Sequence, residues 1–77
     1  MAVKGLLRAL GQEIRERRLA EEMAQDAFAH EAGLSRNFIG MIERGQRNPT
    51  VVSLEAIAGV FRMRVSELLA AAEKRLR

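Results

Sequence analysis

The sequence predicts an all-α fold of five short helices. The chain has 77 residues, enough for one small core, and 48% of them are hydrophobic against 30% charged, which is a globular composition. Apolar residues recur at three- and four-residue spacing along most of the chain. Because no segment alternates apolar and polar residues, β-strands are not expected.

The first helix is predicted over about residues 6–20, where Leu10 and Ile14 share an apolar face with neighbouring leucines. The opposite face carries Glu13 and Arg17, four residues apart in the favourable acid-first order. This pair is expected to lie on a solvated face of the helix.

The second and third helices are joined by a tight turn. The second is predicted over about residues 24–32, and Gly33 suits the left-handed residue that ends a helix. Ser35 is a good N-cap for the third helix, which runs to about residue 44. The residues expected to be buried are Phe28, Ala29, Ala32, Ile39 and Ile42.

Gly45 and a polar loop precede the fourth helix, which Thr50 or Ser53 can cap and which ends near residue 62. Ser66 is the predicted cap of the fifth helix. Residues 70–77 are predicted to be a C-terminal helical extension that frays or packs on a symmetric mate. The expected buried residues are Leu54, Ile57, Ala58, Phe61, Leu68, Leu69 and Leu76.

Several function classes are excluded by composition. The chain has no Cys and one His, which excludes a disulfide, a thiolate nucleophile and a metal site built on Cys or on several His, and no metal-binding residue is predicted. We find no P-loop or hydrolase motif, so we predict neither an enzyme nor a cofactor. No apolar run approaches the roughly 18 residues of a membrane span. A cytoplasmic protein without membrane contact is therefore expected.

Two short helices around a Gly turn form a helix-turn-helix pattern, and spaced residues on both sides of it strengthen this signal. These residues are Leu10-Gly11-Gln12-Glu13-Ile14-Arg15-Glu16-Arg17-Arg18, Gln25, Ala29, Ala32-Gly33-Leu34-Ser35, Ile42-Glu43-Arg44-Gly45, Arg47-Asn48-Pro49, Leu54, Ile57-Ala58 and Val65-Ser66-Glu67-Leu68. With them, the chain closely resembles the Cro/C1-type, or XRE-type, helix-turn-helix family of lambdoid repressors and restriction-modification controllers. The resemblance covers about residues 10–69. It implies that residues 1–77 form a single, compact, lambda-repressor-like DNA-binding domain.

The third helix is the expected recognition helix, whose N-terminal residues meet base edges in the major groove. Arg36 and Asn37 occupy its first turn. An Arg fork pairs with guanine O6 and N7, and Asn pairs with adenine, each for about 1–3 kcal/mol of discrimination. Met41 follows one turn later and can touch a thymine methyl group. These three residues are the predicted base readers.

The resemblance assigns the phosphate contacts to residues around the recognition helix. Gln25 begins the second helix, whose free N–H groups also favour an anion. The full predicted set is Gln25, Ser35, Arg44, Gln46, Arg47 and Asn48. Phe38 stands where many relatives have Tyr, which removes one possible phosphate hydrogen bond.

The resemblance also implies an internal ion pair between Arg18 and Glu43, which ties the first helix to the recognition helix. Two residues before the second helix also depart from the family pattern, which usually has Gly at Glu22 and Ser or Thr at Ala24. A left-handed Glu22 is strained, and Ala24 cannot cap a helix. The second helix is therefore expected to begin in a rearranged turn or to be anchored less firmly.

One domain covers half of an operator, so we predict a homodimer on a palindromic site, with recognition helices about 34 Å apart. No separate dimerisation domain is seen, and the fourth and fifth helices are expected to hold the mate. The predicted interface residues are Phe61, Met63, Val65 and Leu69.

The predicted function is that of a sequence-specific transcriptional regulator of the restriction-modification controller or small phage-repressor type. Two alternatives stay open, namely an antitoxin that represses its own toxin–antitoxin pair and a helical protein-interaction module. The expected partners are double-stranded DNA and a second copy of the chain, with RNA polymerase or a toxin as further candidates.

Overall fold

The helices follow one another along the chain with short connections. A computed structural model describes residues 2–77, with side chains described from residue 5 onward. The helices are α1 (Ala2–Ala20), α2 (Gln25–Ala32), α3 (Arg36–Glu43), α4 (Val51–Val60) and α5 (Val65–Lys74). Residues 2–77 contain no β-strand, so the predicted five-helix, all-α fold is confirmed.

Two of the predicted caps begin their helices. The Ser35 hydroxyl accepts a hydrogen bond from the backbone N–H of Phe38 at 3.0 Å, and Thr50 accepts one from Ser53 at 3.0 Å. Gly33 adopts the left-handed conformation at φ 69° and ends α2, as its position after the apolar pattern predicted. The local chemistry of these residues therefore sets the ends of α2, α3 and α4.

The predicted cap of the fifth helix is wrong. Helix α5 begins at Val65, with Arg64 in the N-cap position, so Ser66 already lies inside the helix. The first turn is stabilised from the other direction, because the Glu67 carboxylate accepts a hydrogen bond from the backbone N–H of Arg64 at 2.9 Å. A side chain three residues into the helix thus satisfies the backbone donor of the N-cap residue, while no side-chain N-cap hydrogen bond is made.

The core draws on all five helices. The rings of Phe28 and Phe61 stack with their centroids 5.1 Å apart, which joins α2 to the end of α4. The largest fully buried side chains are Phe28, Ile14, Ile39, Ile42, Ile57 and Leu68, all predicted from helical spacing.

In the part of the chain that the structure describes, none of the helices is long and apolar enough to cross a membrane.

The C-terminal residues pack on their own chain. Ala72 is fully buried, and Arg75 donates hydrogen bonds to Glu13 at 2.8 Å and to Glu16 at 2.7 Å on α1. The predicted burial of Leu76 is wrong, because this side chain lies beyond the end of α5 and is 48% exposed. Residues 70–74 lie in α5 and the end is not frayed up to residue 75, whereas packing on a symmetric mate stays a prediction. Glu13 is also not on a solvated face, because it is buried between the guanidinium groups of Arg17 and Arg75.

Candidate nucleic-acid interface

Helices α2 and α3 pack against each other across the turn at Gly33, and the outer side of α3 is left open. Ile39 and Ile42 are buried on the inner side of α3. Arg36 and Asn37 are exposed in its first turn. The helical period places Asn37 opposite the core, whereas Arg36 lies on the same side as Gly40 and Glu43 and is exposed because it is the first residue of α3.

The three predicted base readers lie on neighbouring positions of this outer side. The amide nitrogen of Asn37 lies 3.8 Å from the sulfur of Met41, one turn later. Met41 itself is half-buried, so it presents less of its side chain than Arg36 or Asn37 does. The three residues are brought together as a continuous strip along α3.

A buried ion pair connects this strip to the first helix. Arg18 donates to Glu43 through Nε at 2.7 Å and through Nη2 at 3.1 Å, and both residues are buried. The same Glu43 carboxylate accepts a hydrogen bond from the side-chain amide of Gln25 at 3.0 Å. Gln25 is therefore held at the start of α2 by an acceptor whose charge Arg18 neutralises.

Gly40 allows two side chains to cross the outer side of α3. A methyl group at this position would lie 3.3 Å from Nη1 of Arg44 and 3.8 Å from the amide nitrogen of Gln25. The Arg44 guanidinium in turn donates to the side-chain carbonyl of Gln46 at 3.0 Å. A polar cleft results, lined by Gln25, Arg36, Asn37, Gly40 and Arg44.

The remaining predicted phosphate residues lie beyond the two ends of α3. The Arg47 guanidinium lies over the ring of Phe38, 5.2 Å from its centroid, which fixes the long side chain beside α3. Ser35 uses its oxygen as a cap acceptor and retains its hydroxyl proton as a donor. Asn48 is exposed and borders a different groove, formed with apolar residues of α1, α4 and α5.

The turn before α2 contains two of the departures from the family pattern. Glu22 adopts a left-handed conformation at φ 58°, and Ala24 stands at the N-cap of α2 without a side-chain hydrogen bond. Arg18 stabilises this turn by donating to the carbonyl oxygen of Met23 at 2.7 Å. A buried side chain thus supports a turn that carries strain at one residue and lacks a cap at another.

The predicted interface residues are already in contact with the core. Part of the Phe61 ring is covered by Phe28. The largest exposed fractions among bulky apolar side chains occur at Val51, with 70%, and Val52, with 74%, which helical spacing did not single out. The half-buried residues of the predicted interface are Phe61, Met63, Val65 and Leu69.

Sequence reasoning missed one charge on this surface. Asp26, in the first turn of α2, forms an ion pair with Arg36, with Oδ1 and Nε 3.1 Å apart. The two residues are ten positions apart, on different helices, so no helical spacing rule connects them. Only the packing of α2 against α3 brings them together.

A family model and several known proteins match most of the chain. A family model described as "Helix-turn-helix" covers residues 14–68, which include α2 and α3. The immunity repressor protein of Bacillus phage phi105 is 37% identical over 60 residues, which are 78% of this chain and 42% of that protein. Control protein C.BamHI of Bacillus amyloliquefaciens is 37% identical over 60 residues, which are 77% of this chain and 74% of that protein.

A solved structure has the same arrangement of helices. The crystal structure of the restriction-modification controller protein C.AhdI from Aeromonas hydrophila superposes with a TM-score of 0.77 at 37% identity, covering 80% of this chain and 94% of that one. The chain spans about two fifths of the phage repressor's length but nearly all of this controller's. The similarity to the controllers therefore concerns most of each molecule.

Proposed function

Because this chain belongs to the Cro/C1-type helix-turn-helix family of DNA-binding regulators and is similar to restriction-modification controllers, we propose that it is a sequence-specific transcriptional regulator that binds a palindromic operator as a homodimer. The observation that carries this proposal is the exposed first turn of α3, with Arg36 and Asn37 projecting from a helix whose other side is in the core. A recognition helix meets base edges through these positions.

The proposed base contacts follow from the hydrogen-bonding groups of that turn. Arg36 offers a planar fork for guanine O6 and N7, and Asn37 offers a donor and an acceptor for adenine. Met41 lies beside Asn37 and provides an apolar contact for a thymine methyl group. Sequence discrimination rests mainly on Arg36 and Asn37, because Met41 is half-buried.

The proposed phosphate contacts surround these residues on both sides. The amide of Gln25 retains one N–H after donating to Glu43, and the start of α2 contributes free backbone N–H groups. Ser35, Arg44, Gln46, Arg47 and Asn48 complete the set. Such contacts carry no sequence information but fix the register of the protein on the duplex.

The charge distribution favours an anionic partner, although the net charge of the chain is only +3. Glu43 is buried against Arg18, so it contributes little negative potential to the surface of α3. Arg44 and Arg47 remain exposed there. The surface around α3 therefore presents exposed arginines to an anionic partner while its buried carboxylate is neutralised.

A homodimer follows from the size of the domain, because one recognition helix reads only half of an operator. We propose that the mate packs on the α4–α5 side through Phe61, Met63, Val65 and Leu69. Leu69 borders an apolar groove that also includes Leu6 and Leu54, so apolar surface extends beyond these four residues. The most direct check is sedimentation at rising protein concentration, where we expect a dimer.

The experiment that tests the proposal compares two arginines. A duplex enriched by the wild-type protein from a randomised pool is titrated beside a scrambled duplex of the same composition. Arg36→Ala is expected to weaken binding to the enriched duplex by about tenfold or more. The difference in affinity between the enriched and the scrambled duplex should therefore become smaller. Arg47→Ala is expected to weaken both similarly and to reduce the salt dependence of binding.

Two outcomes would contradict the proposal. A wild-type protein that fails to enrich any sequence, or that binds duplex DNA without a steep dependence on salt, is not a regulator of this kind. Equal losses on both duplexes for Arg36→Ala would remove this residue from the base readers and assign it to the phosphate backbone.

A further inference from the structure

The ion pair between Asp26 and Arg36 places a carboxylate on an otherwise basic surface. Both side chains are exposed, with 78% of Asp26 and 69% of Arg36 accessible. The contact joins Oδ1 of Asp26 to Nε of Arg36 at 3.1 Å. A negative charge here repels phosphates on every sequence, so it lowers general affinity for DNA. The same charge also acts on the side chain of Arg36, which it contacts.

The geometry of the contact leaves the reading edge of the arginine available. A guanidinium carries five N–H groups, four of them on the two terminal nitrogens. The carboxylate of Asp26 lies against Nε as an ion pair without a directed hydrogen bond, and the side chain of Arg36 borders the cleft with Gln25, Asn37 and Arg44. The two terminal nitrogens are a fork of the kind that matches guanine O6 and N7.

We propose that Asp26 is a positioning residue that sets the sequence specificity of this surface by holding Arg36 through Nε and keeping its terminal fork directed at base edges. The inference rests on the proposed function and deepens it. Asp26 acts through Arg36 and is not itself assigned a contact to DNA.

Two physical effects give Asp26 this role. First, it competes with phosphates for Arg36, so the side chain is less able to swing to the backbone of an arbitrary duplex. Second, the pair is weak in water, as exposed ion pairs are, but strengthens when a bound duplex displaces the water around it. With Nε against Asp26, the terminal fork keeps one direction, and a guanine that lies there can accept from both terminal nitrogens.

A purely structural role for Asp26 makes a different prediction. An acid in the first turn of a helix also stabilises that helix through its dipole. In that case, its removal would lower the stability of the fold and would change binding to all duplexes by the same factor. The ratio of the two affinities, enriched duplex over scrambled duplex, separates the two roles.

The test uses Asp26→Asn, which keeps the shape of the side chain and removes its charge. We expect binding to the scrambled duplex to tighten by about threefold and binding to the enriched duplex to weaken, so that the ratio falls by about tenfold. The matched control is Glu31→Gln, which removes one exposed carboxylate from the other end of α2 and is expected to leave the ratio unchanged.

Two further variants assign the effect to Arg36. Asp26→Glu, which restores the charge, should recover most of the ratio. In an Arg36→Ala background, Asp26→Asn should leave the ratio as it is, because the side chain that Asp26 positions is gone. Circular dichroism and thermal unfolding of each variant report any loss of fold independently of binding.

The outcomes distinguish this inference from the function it rests on. If Asp26→Asn has the same ratio of affinities as the wild type, the positioning role is overturned, but the proposed function as a regulator is not. A change of ratio that persists in the Arg36→Ala background would overturn it as well. A wild-type protein that does not distinguish the two duplexes would overturn the proposed function and the inference with it.

Discussion

The Glu43 carboxylate has two kinds of partner, one in the core and one on the surface. Arg18 holds it with two hydrogen bonds at 2.7 Å and 3.1 Å, and Gln25 donates to it from the proposed DNA surface at 3.0 Å. Because both charges are buried, removing one leaves the other without compensation. A change at Arg18 therefore acts on the fold first and on DNA contacts through Gln25.

Arg18→Ala is expected to lower the free energy of unfolding by about 3–5 kcal/mol, because it leaves Glu43 buried and unpaired. Replacing both partners, with Arg18→Met and Glu43→Leu together, should recover part of this loss, since neither charge is then buried alone. Urea unfolding followed by circular dichroism measures both. If Arg18→Ala is as stable as the wild type, the ion pair contributes nothing to the free energy of unfolding.

The fate of individual side chains was predictable where it followed from helical period. Ile39 and Ile42 define the buried side of α3, so Asn37 had to be exposed, whereas the exposure of Arg36 follows from its place at the first residue of the helix. The period says nothing about contacts between helices. The pairing of Asp26 with Arg36 therefore became visible only in three dimensions.

Helices α1 and α3 approach each other closely at Gly11. A methyl group there would overlap the carbonyl oxygen of Ile42 and would lie 2.6 Å from that of Glu43. Backbone atoms cannot move aside as a flexible side chain can, so the contact requires a residue without Cβ. This approach also brings Arg18 of α1 within reach of Glu43.

Gly11→Ala is expected to destabilise the fold by about 1–3 kcal/mol, because the added methyl group forces the two helices apart. The control is Gly59→Ala in α4, where a methyl group would meet nothing within 4 Å. It should stabilise the protein by about 0.5–1 kcal/mol through helix propensity. Paired denaturant titrations give both values, and an increase in stability for Gly11→Ala would contradict the close approach.

The helix ends were predictable where a single residue type sets them. Ser35 and Thr50 cap the helices they were expected to cap. The start of α5 was not predictable in this way, because the hydrogen bond there joins the carboxylate of Glu67, inside the helix, to the backbone N–H of Arg64. An apparent cap such as Ser66 carries the same sequence signal whether or not it is used.

Across the full chain, the last residues close back on the first helix. Arg75 reaches Glu13 and Glu16, which precede it by 62 and 59 positions. The hydrogen bond and the positive charge of Arg75 hold the pKa of Glu16 below its ordinary value. Contacts over such separations have no signature in the sequence, which is why the ion pairs of Arg75 were not predicted.

This contact predicts an acid-sensitive step in stability. Since the pKa of Glu16 is lowered by folding, its contribution is present above the ordinary value of 4.5 and is lost as the pH falls through the folded-state pKa. The melting temperature of Glu16→Gln should therefore fall less than that of the wild type between about pH 6 and about pH 3. Glu55→Gln, an exposed acid of α4, should behave like the wild type, and an identical fall for all three proteins would contradict the account.

The central claim is that α3 reads the major groove from two symmetry-related copies. Methylation interference tests it most directly, because dimethyl sulfate modifies guanine N7 in the major groove and adenine N3 in the minor groove. On an enriched duplex, the account predicts interference at guanine N7 in two half-sites about one helical turn apart, and its loss at those guanines for Arg36→Ala. Interference confined to adenine N3, or to a single half-site, would contradict it.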